Sequence, residues 1–294
     1  MTDYVSRYSQ DGNLFIPKKF QGFPEIKEAL IADRMQAGFM VAPMAMALRS
    51  QGVPIKIVYL GHRYGSAVVV AEDGPVRSVP DLVGKTIAIP SRFSDEHLIL
   101  LRALAVHGID KRRVRLVEMP PPDVAGALAV DAIDGFSMGE PFPSQAEMQG
   151  IGRVLFHAKD LWPDYTSCVL VVRQEQIDRR PEVVQALVDG IARSGLWLEQ
   201  GRGNREHAAD FVGRYYFRQD PRLLSWALTR PLDRVKYTPL SPYRKDFDLI
   251  RDLMLETGIL DRSIEFEEYT DTRFAEGAKD ATAWQYEPGS QRAH

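Results

Sequence analysis

Polar and aromatic side chains follow several predicted strands, and their types could support ligand binding. The segment that follows the apolar run 55–60 supplies His62, Arg63, Tyr64 and Ser66. Glycines stand at positions 61 and 65 of this segment. Glycine lets a backbone approach a ligand closely, while imidazole, guanidinium and hydroxyl groups offer hydrogen-bond donors. A solvated surface turn explains the same segment equally well, so the sequence leaves both interpretations open.

A second group lies where a helix is predicted to begin. Arg92, Phe93 and Ser94 lead into it, and His97 follows one turn later. The free N–H groups at a helix start attract anions, and the Arg92 and Ser94 side chains would add donors. However, the next two residues are acidic and already occupy this positive helix end, which weakens the case for an anion. His97 fits a structural role as well as a functional one.

Two further positions complete the predicted ligand contacts. Glu140 stands between Gly139 and a proline after the run 133–138, where it could accept hydrogen bonds from a ligand or cap the next segment. Pro43 belongs to an early apolar stretch that could form a pocket wall, although such residues are more often core. No residue is predicted to be catalytic.

Motifs for the common enzyme classes are absent from the sequence, including the nucleophile elbow, the phosphate loop and the dinucleotide fingerprint. No two of the six histidines are spaced as a helical metal pair. The single cysteine, Cys168, excludes an internal disulfide and lies in an apolar strand, where we expect an inert thiol. We therefore expect no metal and no cofactor.

The composition is that of a globular protein and argues against some partners. The net charge is −3 without a basic block, so no nucleic-acid partner is expected. The longest apolar stretch, 39–48, is far shorter than the roughly 18 residues of a membrane span. The first 13 residues have no apolar core, so the sequence predicts no signal peptide in this chain.

Alternating strands and helices over the first 175 residues predict an α/β protein with mixed, mostly parallel sheets, followed by a helical C-terminal third. We expect two lobes joined by two crossings, with the ligand in the cleft between them. One lobe would comprise residues 1–75 and 168–294, and the other residues 76–167.

Several segments in order resemble one protein family. Residues 79–90, VPDLVGKTIAIP, resemble the "dLkGKtiaip" strand of the nitrate/sulfonate/bicarbonate substrate-binding proteins. Residues 97–102 match that family's "H-x-x-LLR" helix, and residues 133–141 match its "iDgf-x-x-GEP" strand end. The similarity continues through "diW" at 160–162 and "NrxE" at 204–206, and covers about Phe23 to Leu260.

The resemblance implies a two-lobed, type 2 periplasmic-binding-protein fold, with His97, Glu140 and the Arg63 segment at the cleft. This chain departs from the family's "N-x-N-G-x-A" in that segment, and it has Asp95 where the family often has serine. Both departures argue against nitrate or bicarbonate. Residues 1–22 do not resemble the usual first strand and helix, so the first lobe would lack its first strand and leave a sheet edge or groove exposed.

The resemblance predicts a non-enzymatic substrate-binding component of an ABC importer for a small polar or oxyanionic solute. Its partners would be the ligand and the permease and ATPase subunits, and the protein would be a periplasmic monomer, with a cytoplasmic location as the alternative. The other functions considered are a thiamine-pyrimidine-precursor synthase, which the lone cysteine disfavours, and a stand-alone sensor. We expect Arg63→Ala and Glu140→Ala to weaken binding without affecting the fold.

Overall fold

The computed structural model describes residues 15–20, 22–216 and 219–284. In these ranges the strands are β1 (Ala37–Val41), β2 (Ile55–Leu60), β3 (Arg63–Tyr64), β4 (Ser66–Ala71), β5 (Thr86–Ile89), β6 (Arg115–Glu118), β7 (Gly135–Gly139), β8 (Gly152–His157), β9 (Cys168–Arg173) and β10 (Val235–Lys236).

The helices of the first half and centre are α1 (Phe23–Ile31), α2 (Ala42–Ser50), α3 (Asp95–Val106), α4 (Val124–Ala129), α5 (Phe142–Gln149), α6 (Ala158–Leu161) and α7 (Gln174–Arg179). The C-terminal third contributes α8 (Pro181–Glu199), α9 (Arg202–Tyr215), α10 (Pro221–Thr229), α11 (Arg244–Glu256), α12 (Phe266–Tyr269) and α13 (Arg273–Gly277). The predicted helical C-terminal third is therefore confirmed.

Two main sheets organise the molecule. One has the order β1-β9-β2 and is antiparallel throughout, and the other has the order β6-β5-β7-β4-β8. In the larger sheet, β5 runs parallel to β6 and β7, whereas β4 runs antiparallel to β7 and β8. A short third pair joins β3 to β10, which are antiparallel.

Mixed pairing is as predicted, but antiparallel ladders outnumber parallel ones, so the expected predominance of parallel pairing is wrong. The reason is that β4 and β9 each lie between two strands of their sheet and are antiparallel to both of them. Strand β4, which the expected division of the chain puts in the first lobe, is hydrogen-bonded within the five-stranded sheet. The chain thus changes sheets at Gly65, where φ is +86°, a backbone angle that favours glycine.

Separate apolar cores support the two sheets. The largest cluster surrounds the three-stranded sheet and includes Tyr165, Phe247 and Tyr269. Two smaller clusters lie on either face of the five-stranded sheet, one around Leu104 and the other around Phe136. Leu98 and Ile99 of α3 belong to the first cluster although α3 follows a strand of the larger sheet, so this helix packs against both halves.

Local signals placed several elements well and missed others. Strand β2 coincides with the apolar run 55–60, and Ser94 caps α3 by accepting a hydrogen bond from the His97 amide. The segment 204–206 that resembles "NrxE" lies inside α9, which begins at Arg202, and the Asn204 amide donates to the Trp197 carbonyl at 2.7 Å.

At the N-terminus, β1 is an edge strand of its sheet among the described residues. The expected absence of a first strand concerns residues 1–22, of which 1–14 and 21 lie outside the described ranges. It therefore stays a prediction.

Candidate functional site

Two adjacent carboxylates, Asp95 and Glu96, are buried where the two sheets approach each other. They occupy the first turn of α3 and are only 1 % and 3 % exposed. The Ser66 hydroxyl at the start of β4 donates to Glu96 Oε1 at 3.2 Å and lies 3.4 Å from the Tyr165 hydroxyl. Tyr165 immediately precedes the return to the three-stranded sheet, so the cluster contacts both halves of the molecule.

Residues of β7 pack closely against the backbone and side chain of Glu96. Ser137 of β7 donates from its hydroxyl to the Glu96 carbonyl at 2.9 Å. A Cβ atom at Gly139, the last residue of β7, would lie 3.2 Å from Glu96 Oε1. Any larger residue at this position would therefore crowd the carboxylate.

In the described part of the chain, neither carboxylate has a cationic partner. Asp95 Oδ1, Asp95 Oδ2 and Glu96 Oε2 are buried without a hydrogen-bond partner within the described ranges. Burial raises the pKa of Asp95 well above its ordinary value, and the neighbouring Glu96 charge adds to this shift, while the Tyr165 hydroxyl opposes it. Burial likewise raises the pKa of Glu96, with Ser94 and Ser66 opposing the shift.

The same charges act on two further groups. Burial, and then the Asp95 and Glu96 carboxylates, raise the pKa values of the Tyr165 hydroxyl and the Cys168 thiol well above their ordinary ranges. A thiol in this environment stays protonated at neutral pH and is a poor nucleophile. This agrees with the expected inert role of Cys168.

The predicted residues at the start of α3 are divided between this cluster and the surface. Ser94 is buried as the helix cap, and His97 is 9 % exposed with its Nδ1 2.9 Å from the Arg92 carbonyl oxygen. Burial lowers the pKa of His97, so its imidazole is neutral at neutral pH. The Arg92 side chain instead extends outward and pairs with Glu118 at 3.3 Å, and Phe93 is largely exposed.

The guanidinium of Arg63 is already engaged by protein groups, and its contact with a ligand stays a prediction. It is buried, and its guanidinium donates to the carbonyls of Pro239 and Asp164 at 2.8 and 2.7 Å. Its Nη2 lies 2.9 Å from Asp246 Oδ2, an ion pair without hydrogen-bond geometry at that oxygen. These bonds tie β3 to the C-terminal helical region, so Arg63 has a structural role.

Glu140 is engaged in the same manner. Arg234 donates to Glu140 Oε1 at 2.7 Å, to Glu147 Oε2 at 2.8 Å and to the Ser144 hydroxyl at 2.9 Å. Burial raises the pKa of Glu140, and the Arg234 charge opposes that shift. The expectation that Glu140 offers its carboxylate to a ligand disagrees with this pairing, because both oxygens already accept hydrogen bonds.

The remaining predicted residues lie away from the carboxylate pair. Pro43 is buried in the first turn of α2, and Tyr64 takes a φ of +64° in β3. His62 stacks edge-on to Tyr237 with ring centroids 6.4 Å apart, and burial lowers its pKa. It also lines a cavity of about 1190 Å³ beside the edge strand β1, and Cys168 lines the same cavity.

Neither a metal centre nor a membrane segment is found in the described ranges. No group of three or more potential ligand side chains there is arranged to hold a metal ion. None of the helices in those ranges is long and apolar enough to cross a bilayer.

Solved structures share this fold over nearly the whole chain. The ligand-binding component of an ABC-type import system from Staphylococcus aureus, solved with zinc bound, superposes with a TM-score of 0.83 at 23 % identity, covering 96 % of this chain and 93 % of that one. The nitrate-binding protein NrtA from Synechocystis gives 0.79 at 17 % identity, covering 94 % and 82 %. The molecule is thus an α/β protein of the periplasmic-binding-protein type, and the predicted fold class is confirmed.

Sequence comparison identifies the family. The profile of the NMT1-like family matches residues 3–213, and the chain belongs to this family. The taurine-binding periplasmic protein of Escherichia coli is 31 % identical over 194 residues, which cover 62 % of this chain and 59 % of that protein. The match therefore spans less than two thirds of that relative. The resemblance inferred from the motifs is confirmed.

Sequence reasoning missed three members of the site. Glu96 was interpreted with Asp95 as an ordinary first-turn residue, Tyr165 was not singled out, and Arg234 was not recognised as the partner of Glu140. Only the departure at Asp95 from the family's usual serine signalled the carboxylate cluster.

Proposed function

We propose that this protein is the substrate-binding component of an ABC importer, and that it captures a small polar or oxyanionic solute between two lobes without chemical turnover. The observation that carries the proposal is the polar cluster at the junction of the two sheets. Ser66 and Glu96 come from the side of the larger sheet, while Tyr165 and Cys168 lie on the return to the smaller one. A ligand touching this cluster would contact both lobes.

The lobes follow from the sheets. We keep the expected division into residues 1–75 with 168–294 and residues 76–167, except that residues 66–75 move to the second lobe because β4 belongs to the larger sheet. The first crossing then lies at Gly65. Opening would occur by rotation at this crossing and near Tyr165. A ligand that contacts both lobes only in the closed form would shift the population towards that form.

The contacts that we retain for the ligand are Ser66, His97 and Gly139 from the predicted set, with Asp95, Glu96 and Tyr165 added. Arg63 and Glu140 are left out because their charges are already paired. We place the protein in the periplasm as a monomer that presents its closed form to a permease and its ATPase. Family membership and the names of the relatives support this placement.

An enzymatic role is the less supported alternative. A nucleophile in this fold would need an activated side chain, yet the only thiol lies beside two carboxylates that raise its pKa. A thiol that stays protonated does not favour covalent catalysis. The precursor-synthase alternative therefore has no favourable observation at this site.

Thermal unfolding with a ligand panel tests the proposal. A ligand at 100 times its dissociation constant adds about 2.7 kcal/mol to the free energy of unfolding, which raises Tm by roughly 5 °C at about 2 °C per kcal/mol. We expect one chemical class to give this shift, together with a smaller radius of gyration in solution scattering. A shift without compaction would contradict closure, and consumption of the ligand would contradict a pure binding role.

A further inference from the structure

The Asp95–Glu96 pair also indicates which ligand chemistry the site accepts. Ionised carboxylates accept hydrogen bonds and donate none, so an unpaired pair attracts cations and N–H donors. Both side chains are more than nine-tenths buried, and three of their four oxygens have no partner with hydrogen-bond geometry in the described ranges. The Tyr165 hydroxyl is the group near Asp95 that lowers its pKa. Buried polar atoms of this kind are rare because each one costs free energy when it is left unsatisfied.

Among the residues that the structure describes, no cationic side chain neutralises the pair. The titratable groups facing it are the Tyr165 hydroxyl and the Cys168 thiol, whose own pKa values the pair raises. Ser66 satisfies a single oxygen of Glu96. Neither carboxylate forms an ion pair with a lysine, arginine or histidine of the described ranges, in contrast to Glu140, which has Arg234, and to Asp246, which has Arg63.

The position at the start of α3 excludes the simplest oxyanion site. A free helix N-terminus offers its N–H groups to an anion, but here the Ser94 hydroxyl already accepts from the His97 amide. The adjoining Asp95 and Glu96 would repel an anion whenever they are ionised. The nearest cationic side chain in sequence, Arg92, points to the surface and pairs with Glu118.

We propose that Asp95 and Glu96 form a subsite for a protonated amine or amidine group, so that the captured solute carries a cationic nitrogen and is not a simple oxyanion. This inference rests on the proposed function and narrows its ligand class. The Tyr165 and Ser66 hydroxyls would complete the hydrogen bonding around the nitrogen once the lobes close.

The inference makes a specific statement about protons. The Asp95–Glu96 pair holds protons more strongly than ordinary carboxylates do. A cation that binds to the ionised carboxylates must therefore displace these protons into solution. Affinity for an amine should therefore increase with pH until the pair is fully ionised. An oxyanion would need the protonated acids as donors, and its affinity would decrease over the same range.

Calorimetric titration of the full chain with matched probes provides the test. The probes with an ammonium group are taurine, ethanolamine and putrescine, and those without one are ethanesulfonate, nitrate and bicarbonate. Taurine and ethanesulfonate differ only in the ammonium group, so their comparison isolates its contribution. The binding enthalpy is measured in two buffers of different protonation enthalpy, and the difference between the two values gives the number of protons released on binding.

We expect at least one ammonium probe to bind with proton release. Asp95→Asn and Glu96→Gln should each weaken it roughly tenfold or more, as expected when one partner of a buried charge pair is removed. The control Asp131→Asn changes an exposed carboxylate in a left-handed turn that asparagine tolerates, and should leave affinity unchanged. Thermal unfolding of each variant shows that it is folded.

Three results would overturn the inference. Binding of an anion probe alone refutes the amine subsite but leaves the proposed function standing. Binding of an ammonium probe that is unaffected by both substitutions refutes the location of the subsite. Binding of neither class by the folded chain refutes the inference and the proposed function together.

Discussion

Replacing Arg63 with methionine should destabilise the protein strongly. The guanidinium is 3 % exposed, and it pairs with an Asp246 carboxylate that is 8 % exposed. It also donates to three carbonyl oxygens and to the Thr166 hydroxyl. Methionine keeps much of the apolar stem but leaves the Asp246 charge and these oxygens without their donor.

Removing one partner of a buried ion pair costs about 3–5 kcal/mol. At about 2 °C per kcal/mol for a large chain, the variant should unfold roughly 6–10 °C below the parent protein. Because Arg63 joins β3 to the segment before α11, the loss should appear in the free energy of unfolding and not as a local change in ligand contacts.

Thermal and urea unfolding followed by circular dichroism measure the effect. The matched control is Arg112→Met, which removes an exposed arginine paired with Asp110, and surface pairs of this type contribute about 0–1 kcal/mol. If Arg63→Met unfolded like the control while losing ligand affinity, the structural role assigned to Arg63 would be refuted. The sequence-based expectation of a binding residue would then be correct.

Three further outcomes are expected. Arg234→Met should lower the free energy of unfolding by about 3–5 kcal/mol, because it leaves the buried Glu140 and the half-buried Glu147 without their donor; an unchanged urea midpoint would contradict this. Asp95→Asn should stabilise the unliganded protein relative to wild type, by an amount that grows as pH rises above the ordinary aspartate pKa of 3.8. The reason is that wild type loses stability between this ordinary pKa and the raised pKa of Asp95 in the folded state. A difference in Tm that does not depend on pH would count against the raised pKa. Asp220→Ala removes the cap that accepts from the Arg222 amide at 2.8 Å and should lower the urea midpoint of unfolding, because that amide loses its side-chain acceptor; an unchanged midpoint would contradict this.

Elements governed by local chemistry could be predicted from the sequence. Ser94 and Asp220 begin helices in the structure as their side chains suggest, since a capping oxygen acts on amides only two or three residues away. Strand β4 is an apolar, β-branched run whose bounds needed no tertiary information. The order of the family motifs gave the fold for the same reason, because each motif is a short local pattern.

Long-range pairings could not be predicted in this way. Glu140 stands 94 positions from Arg234, and nothing near Arg63 in sequence indicates the distant Asp246. Both were interpreted as ligand contacts because charged residues at strand ends are typical of binding sites. The structure instead gives each a buried counter-charge. Sequence position alone does not distinguish a charge that awaits a ligand from one that already has a partner.

The carboxylates at the start of α3 show the opposite case. In the sequence, Asp95 and Glu96 fit the ordinary preference for acidic residues in a first helical turn, where exposed carboxylates contribute a few tenths of a kcal/mol. Burial changes their significance, because the field of a helix end is too small to offset the desolvation of two adjacent charges. Without a cationic partner, the pair must stay protonated, which costs more stability as pH rises, or its charge must be neutralised by a bound ligand. A structural acid pair predicts a ligand affinity that neither the titration of the pair nor Asp95→Asn changes, whereas an amine subsite predicts an affinity that increases with pH and is weakened by Asp95→Asn. One titration series on the parent chain and on Asp95→Asn therefore decides between them.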